Sequence, residues 1–507
     1  MFKLYPITKT EPYTENYEVK INGKKVELDT ARVSAMPFNR RWPGHQRGLE
    51  QTELINFLSL ETDEPLYFEI KLLKAFEKVV VRPFSLGIEP KISDDGVISF
   101  TLEKAAYFTV EPFGRNDALH VFADPVSDYN VNVDDENVIY YGAGEHDVGM
   151  IELKSNQTLF IDEGAVVYAC IRALDAENIK ILGRGILDNS RNKEEILFEH
   201  NAENNDTAVK NAVRNHTVQI EYCTNVYIDG ITIRDSLVYN IRPIGCQNLT
   251  IKNVKIIGCW RYNSDGIDMH NCVDVLIYNC FLRTFDDSIC IKGFDCFHAG
   301  NVEEAVRKAM YRGGKSYNVF KNVVIKNCTI WTDWGKSLEI GAETRAEEIS
   351  NIVFEDCDVI HVMGAPLDCY NIDYADVYDC VYRNIGVEYD DVIMAPMIQS
   401  NDAEEYINRN VDHAPWLICV ITGVHHEYSA GGERRGKCRD LRFENIHMFG
   451  RFEPKFYFSG YDAEHQTKDI VIENIYLNGK LIEEIKPENF EMKEFTENII
   501  YKTKKQS

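Results

Sequence analysis

Apolar and polar positions alternate in short runs along most of this chain, and from residue 178 onward the runs return in one form, an Asn or Asp followed by apolar-x-apolar. Copies are Asn178-Ile179-Lys180-Ile181, Asn225-Val226-Tyr227-Ile228, Asn248-Leu249-Thr250-Ile251, Asp274-Val275-Leu276-Ile277, Asn322-Val323-Val324-Ile325 and Asn351-Ile352-Val353-Phe354. Late copies begin at Asp440 and Asp469. Where nothing is inserted, neighbours lie 23, 26, 29 and 29 residues apart. Period-2 alternation with β-branched residues predicts short strands, and the leading Asn or Asp predicts a bend. A second short strand follows several copies, as in Gly230-Ile231-Thr232-Ile233. One coil of three strands cannot bury its inner face alone, so the coils must stack. The expected fold is all-β: a right-handed parallel β-helix over residues 131–507. A leucine-rich repeat is excluded because its Leu-x-x-Leu-x-Leu signature is absent and helical patterns are few.

Residues 1–130 read differently. Tyr17 to Val26 has the pattern of a hairpin, and further strands are predicted at 67–71, 79–83, 98–102 and 107–110. This strand-turn spacing predicts an N-terminal antiparallel β-sandwich. Three insertions, 191–215, 295–317 and 400–437, interrupt the repeats, and Val302 to Tyr311 is the best helix candidate. Long loops on a rigid solenoid are expected to wall a binding groove.

The candidate chemistry lies in two carboxylate clusters. Asn263-Ser264-Asp265-Gly266-Ile267-Asp268 precedes Asp286-Asp287 by a spacing of 21 residues between Asp265 and Asp286. Stacking brings these into adjacent rungs about 4.8 Å apart. Carboxylates held there can flank a water, and separations of roughly 6.5–9.5 Å mean inversion at a glycosidic centre. Crowded carboxylates repel, so one is expected to keep its proton near neutral pH and act as the acid. Asp268 and Asp274 read as bend residues. His270, on the same face as Asp268, and Lys292, near the carboxylates, are candidates to line the cleft. Trp260 and Trp334 flank the motifs and suit stacking on sugar faces.

Net charge is −26 among 507 residues, which disfavours nucleic acid as a partner and weakly disfavours polyanions. No apolar run is long enough to span a bilayer, and the first residues lack a secretory pattern, so no membrane contact and a cytoplasmic location are expected. The 14 Cys show no metal spacing. Cys272, Cys280, Cys290, Cys328, Cys357 and Cys380 recur with the repeats, as stacked buried thiols would. His413, His425 and His426 share a loop but make a weak metal site. No metal or other cofactor is expected, and the oligomeric state is left open.

The motifs Asn263 to Asp268, Asp286-Asp287 and Ile291-Lys292-Gly293 resemble those of glycoside hydrolase family 28, the polygalacturonases. Gly335-Lys336-Ser337-Leu338-Glu339-Ile340-Gly341-Ala342-Glu343 looks like the family's next motif. The dextranases of family 49 are similar in their three aspartates and N-terminal sandwich. The resemblance spans roughly residues 135–480. It implies Asp286 as general acid and Asp265 and Asp287 as activators of water; Asn263, Lys292, Lys336 and Glu343 are candidates for substrate contact. Two departures matter. Lys336 stands where the family has His. The family's later Arg-x-Lys pair, which grips a uronate, has no match after Val362, where Asp368-Cys369-Tyr370-Asn371 stands instead. The expectation is therefore an inverting, exo-acting hydrolase of a largely neutral α-linked oligosaccharide. Polygalacturonase activity, a β-helix lyase or epimerase (with Ca²⁺ held by the Asp cluster), and a non-catalytic carbohydrate-binding scaffold are the alternatives.

Overall fold

The strand Tyr17–Ile21 alternates buried and exposed positions, as its Tyr-Glu-Val-Lys-Ile sequence dictates. It pairs with Lys24–Val26 and with Leu66–Leu72, which in turn pairs with Val97–Leu102. A second sheet contains Asp29–Ser34, Thr52–Thr62, Leu119–Pro125, Tyr107–Glu111 and Val80–Arg82. Its pairs are antiparallel except Leu119–Pro125 on Thr52–Thr62, which is parallel. Val19, Ile21, Phe68, Ile70, Phe108, Val110 and Val121 fill the space between the two sheets. The computed structural model describes residues 2–10, 12–36, 38–40, 46–192, 198–201, 206–209, 216–294, 308, 310–391, 397–398, 413–425, 429 and 434–504. The insertions fall largely outside these. Of the helix candidate only Lys308, Met310 and Tyr311 are described, and Tyr311 opens a short hairpin strand, Tyr311–Arg312.

From Val138 the chain winds into a right-handed parallel β-helix, a single 30-stranded sheet coiled on itself. Three ladders run along it. The first holds the repeats read in the sequence, such as Thr224–Asp229, Gln247–Lys252 and Val273–Tyr278. The leading residues sit in the left-handed region, Asn225 at φ 57°, Asn248 at 56° and Asp274 at 60°, which Asn and Asp tolerate best after Gly. Their side chains bond one another along the ladder: Asn225 Nδ2 donates to Asn178 at 2.9 Å and Asn248 Nδ2 to Asn225 at 2.7 Å. Asn322 Nδ2 likewise donates to Asp274 at 2.7 Å, so Asp274 is a bend residue. The Ile, Val and Leu positions point inward and merge with columns of Cys, as at Cys223, Cys246 and Cys272. All 13 described cysteines are buried free thiols. No helix among the described residues is long and apolar enough to cross a membrane.

The sandwich lies against the second ladder. Phe57 and Phe122 pack on Phe281 and Trp331. Buried ion pairs tie the two units: Lys255 to Asp124 at 3.0 Å, Arg115 to Asp333 at 2.8 Å, and Arg82 to Glu388 at 2.5 Å. Charges this deep must be paired. The third ladder runs through Ile241–Ile244, Ile267–His270, Ile289–Lys292 and Leu338–Ala342.

Candidate active site

The third ladder carries the motifs. Ile267–His270, Ile289–Lys292, Leu338–Ala342 and Leu367–Asn371 stack in register. Alternation sends Ile267, Ile289, Leu338 and Leu367 inward. The intervening row, Asp268, Cys290, Glu339 and Asp368, points out of the coil and is nonetheless buried. The turns entering these strands stack as well. The Gly266 N–H donates to the Asp287 carbonyl, and the Ser288 N–H to the Lys336 carbonyl, both at 2.8 Å. Asp265, Asp287 and Lys336 therefore occupy one position in three successive rungs.

Close packing fixes the turn that bears Asp286 and Asp287. Phe285 is fully buried, with the Arg47 guanidinium 4.0 Å from its ring centre and the Trp334 ring stacked at 6.0 Å. Arg47 belongs to the N-terminal unit, which therefore backs the turn bearing Asp286 and Asp287. At Gly335 a Cβ would lie 2.4 Å from the Asp287 nitrogen and 2.5 Å from the Asp286 carbonyl carbon. Gly335→Ala is expected to displace both aspartates. Misplacement of about 1 Å can cost about 100-fold, so kcat should fall by that order while circular dichroism stays β-type. Full activity would show that the turn is not position-critical.

Lys292 is the centre of the charge network. Its ammonium, 4% exposed, lies 2.8 Å from Asp268, 3.5 Å from Asp265, 3.6 Å from Glu343 and 3.8 Å from Asp287. It also stands 5.3 Å over the Tyr239 ring. Burial opposes the Lys292 charge, but Asp268, Tyr239 and Glu343 outweigh it and hold the ammonium protonated. Burial, then Asp268 and Asp286, push the Asp265 carboxyl well above the usual range against the pull of Lys292. Burial also raises Asp268, against the pull of Lys292. Asp268 is no bend residue. It is fully buried in the cluster, and its parity with His270 was the signal in the sequence.

Asp286 and Asp287 are half-buried at the groove surface. The N–H of Asn263, an exposed residue at φ 55°, donates to Asp286 at 3.3 Å, and the Lys336 N–H donates to Asp287 at 2.8 Å. The Lys336 ammonium lies 2.5 Å from Asp368 and 3.5 Å from Glu339. Glu343 stands beside Lys292 and accepts the Gly293 N–H on its carbonyl. His270 is buried, with Nδ1 2.8 Å from the Gly293 carbonyl and Nε2 accepting from Arg242 at 3.3 Å, so it orients Arg242 rather than opening to a sugar. Trp260 is 6% exposed, and its indole N–H donates to Asp235 at 3.1 Å, which makes it a packing residue. Trp334 is partly exposed on the far side of Phe285. Glu339, Asp368, Arg242 and Tyr239 had no assigned role in the sequence reading. The first two carried a signal, a lone carboxylate inside an apolar strand.

Among the described residues, the metal-capable group is Asp287, Cys290 and Glu339. Burial raises the Cys290 thiol and, together with Asp287, holds Glu339 well above the carboxylate range. Both would have to lose a proton to bind a cation, which disfavours one. His426 lies outside the described residues.

Residues 144–414 match the family described as glycosyl hydrolases family 28. A polygalacturonase of Gossypium barbadense is 27% identical over 228 residues, 42% of this chain and 52% of the relative. An exopolygalacturonase of Oenothera organensis is 28% identical over 153 residues, 28% of this chain and 41% of the relative. The chain spans about half the length of the curated relatives it matches. Among solved structures, Dex49A from Penicillium minioluteum aligns with 98% of this chain and 96% of its own at a TM-score of 0.53 and 13% identity, a likeness of fold alone.

Proposed function

The chain belongs to the glycosyl hydrolases of family 28, and from that premise we propose that it hydrolyses α-linked galacturonides by a single inverting displacement. The observation that carries the reading is the cluster itself: Asp265 and Asp287 within 4 Å of one buried ammonium, with Asp286 beside them at the groove surface. Asp286 donates its proton to the leaving oxygen. Asp287, held by the Lys336 N–H, accepts the proton of the attacking water. Asp265, 3.5 Å from the Lys292 ammonium, orients that water from the buried side. Lys292 balances the charge so that several carboxylates can stand together.

Relatives named polygalacturonase support the galacturonide over the largely neutral oligosaccharide expected from the missing Arg-x-Lys pair and a net charge of −26. Exo action remains part of the proposal, resting on the insertions expected to close the groove. The test is hydrolysis of a defined oligogalacturonide in EDTA, followed by NMR from the first turnover. The expected result is reducing-end release with the inverted anomer first, and mono- or disaccharides from the start. A retained anomer would overturn the inverting assignment, and an unsaturated product would point to a lyase. Random mid-chain fragments would overturn exo action.

A further inference from the structure

A second column of turn residues stacks where the chain passes from the first ladder to the second. Asn253 Nδ2 donates to Asp229 and Asn279 Nδ2 to Asn253, both at 2.8 Å. Further along, Asn384 Nδ2 donates to Asp356 at 3.0 Å and Asn445 Nδ2 to Asn384 at 3.1 Å. The backbone stack is continuous through Asn327, since the Asn279 N–H donates to the Lys326 carbonyl and the Asn327 N–H to the Glu355 carbonyl. The side-chain stack breaks there. The Asn327 amide bonds neither Asn279 nor Asp356, and makes no side-chain hydrogen bond among the described residues. It borders a cleft of about 950 Å³ between the β-helix and the sandwich.

Thr329 and Asp358, paired on neighbouring rungs, open the second-ladder strands Thr329–Thr332 and Asp358–His361 and line the cleft. Ser85 of the N-terminal unit donates its hydroxyl to Asp358 Oδ2 at 2.6 Å. Asp358 Oδ1 and the Thr329 hydroxyl have no hydrogen-bond partner among the described residues, and Asp358 joins no ion pair there. Burial lifts the Asp358 carboxyl to about 6 against the Ser85 hydrogen bond. On the next rung Gly386 pairs with Asp358, and a Cβ there would lie 2.5 Å from Oδ1. The missing side chain leaves that oxygen its room. From the sandwich, Tyr67 is 46% exposed and shares one sheet face with Ser99 and Thr101, all three lining the cleft.

This cleft shares no residue with the catalytic cluster. Thr329 stands at one end of its strand, and the other end leads to Gly335 beneath Asp287. Four residues at about 3.3 Å each separate the two by roughly 13 Å. A carboxylate oxygen, hydroxyls and an amide that are not committed to one another offer the mixed acceptors and donors that neighbouring sugar hydroxyls need. An exposed tyrosine ring suits the apolar face of a sugar. The volume is that of a small-molecule site. An anion would meet Asp358 on the floor and Glu89 and Glu103 on the rim, against Lys91 and Lys104. We propose that the cleft between the sandwich and the β-helix is a second, non-catalytic carbohydrate site, which holds a short uncharged oligosaccharide through Asp358, Thr329 and Asn327 with Tyr67 against its face. The proposal does not depend on the hydrolase reading above.

The test is calorimetric titration of the full chain with three neutral trisaccharides of different shape, cellotriose, maltotriose and β-1,4-galactotriose. At least one should bind saturably at one site per chain. Asp358→Ala should weaken that binding by about 10-fold or more, the usual weight of a hydrogen bond to a charged group. Tyr67→Ala and Asn327→Ala, on opposite walls, should each weaken it at least about 3-fold. Both side chains lie free of hydrogen bonds among the described residues, so these two variants decide the matter even if Asp358→Ala fails to fold, and thermal melts check each protein. Asp286→Asn should leave the affinity unchanged. No binding by any of the three sugars overturns the proposal. So does binding that survives both wall variants, or that is lost in Asp286→Asn and therefore belongs to the catalytic groove. Displacement of the sugar by an equal concentration of spermidine would assign the cleft's carboxylates to a polycation and overturn it as well. Hydrolysis of an aryl α-galacturonide by the unmodified protein, read separately, reports on the hydrolase reading alone.

Discussion

Replacing Asp286 by Asn is expected to lower kcat by about 10²–10⁴-fold, the usual contribution of a positioned acid, with the fold intact. The amide is isosteric and can still accept the Asn263 N–H through its oxygen. Stability should not fall, because Asp286 is only half-buried and the amide keeps its shape. The loss should depend on the leaving group. An aryl galacturonide, whose phenolate needs little protonation, should lose much less than an oligosaccharide. Rates on both substrates and a thermal melt make the measurement. Equal losses on the two substrates would remove Asp286 from the acid role, and a lowered melting temperature would assign it to structure.

The repeats, the sandwich and the stacked Asp rungs were legible because each rests on a local rule. Alternation with a β-branched bias sets the strands, and the Asn or Asp at each bend can adopt a positive φ that few other residues tolerate, as Asn225, Asn248 and Asp274 do. What the sequence concealed is the third dimension of the same rule. Asp268 looked like one more bend residue, yet it lies inside a strand, buried beside Lys292. That burial lifts the Asp265 carboxyl also escaped, since repulsion alone does not rank the groups. Trp260 could equally be a stacking platform or packing until Asp235 and Arg47 were seen to hold its indole and its carbonyl. The roles of Arg47 behind Phe285 and of Gly335 beneath Asp287 depend on contacts across 238 and 48 positions of chain, which no local pattern encodes.

Lys292→Met is expected to be the most destabilising single change at this site. Methionine keeps the approximate length and flexibility of the side chain but not its charge. Asp265 and Asp268, buried, and Glu343, 9% exposed at its side chain, would then face one another without the ammonium that lies 2.8–3.6 Å from them. Removing one partner of a buried ion pair commonly costs about 3–5 kcal/mol. The pH dependence separates charge from packing. Lys292 lowers the carboxyls of both Asp265 and Asp268, so its loss sends their folded values further above the unfolded value. A carboxyl raised by folding binds protons more tightly in the native state. Its stabilising contribution is fully present below the unfolded value, about 4, and is lost as pH rises through the folded one. The deficit of the variant relative to the unmodified protein should therefore be small near pH 4.5 and grow steadily to pH 8. Urea midpoints of both proteins across that range decide it: a widening gap marks Lys292 as the charge that lets this cluster exist, and a gap independent of pH would make it a packing residue.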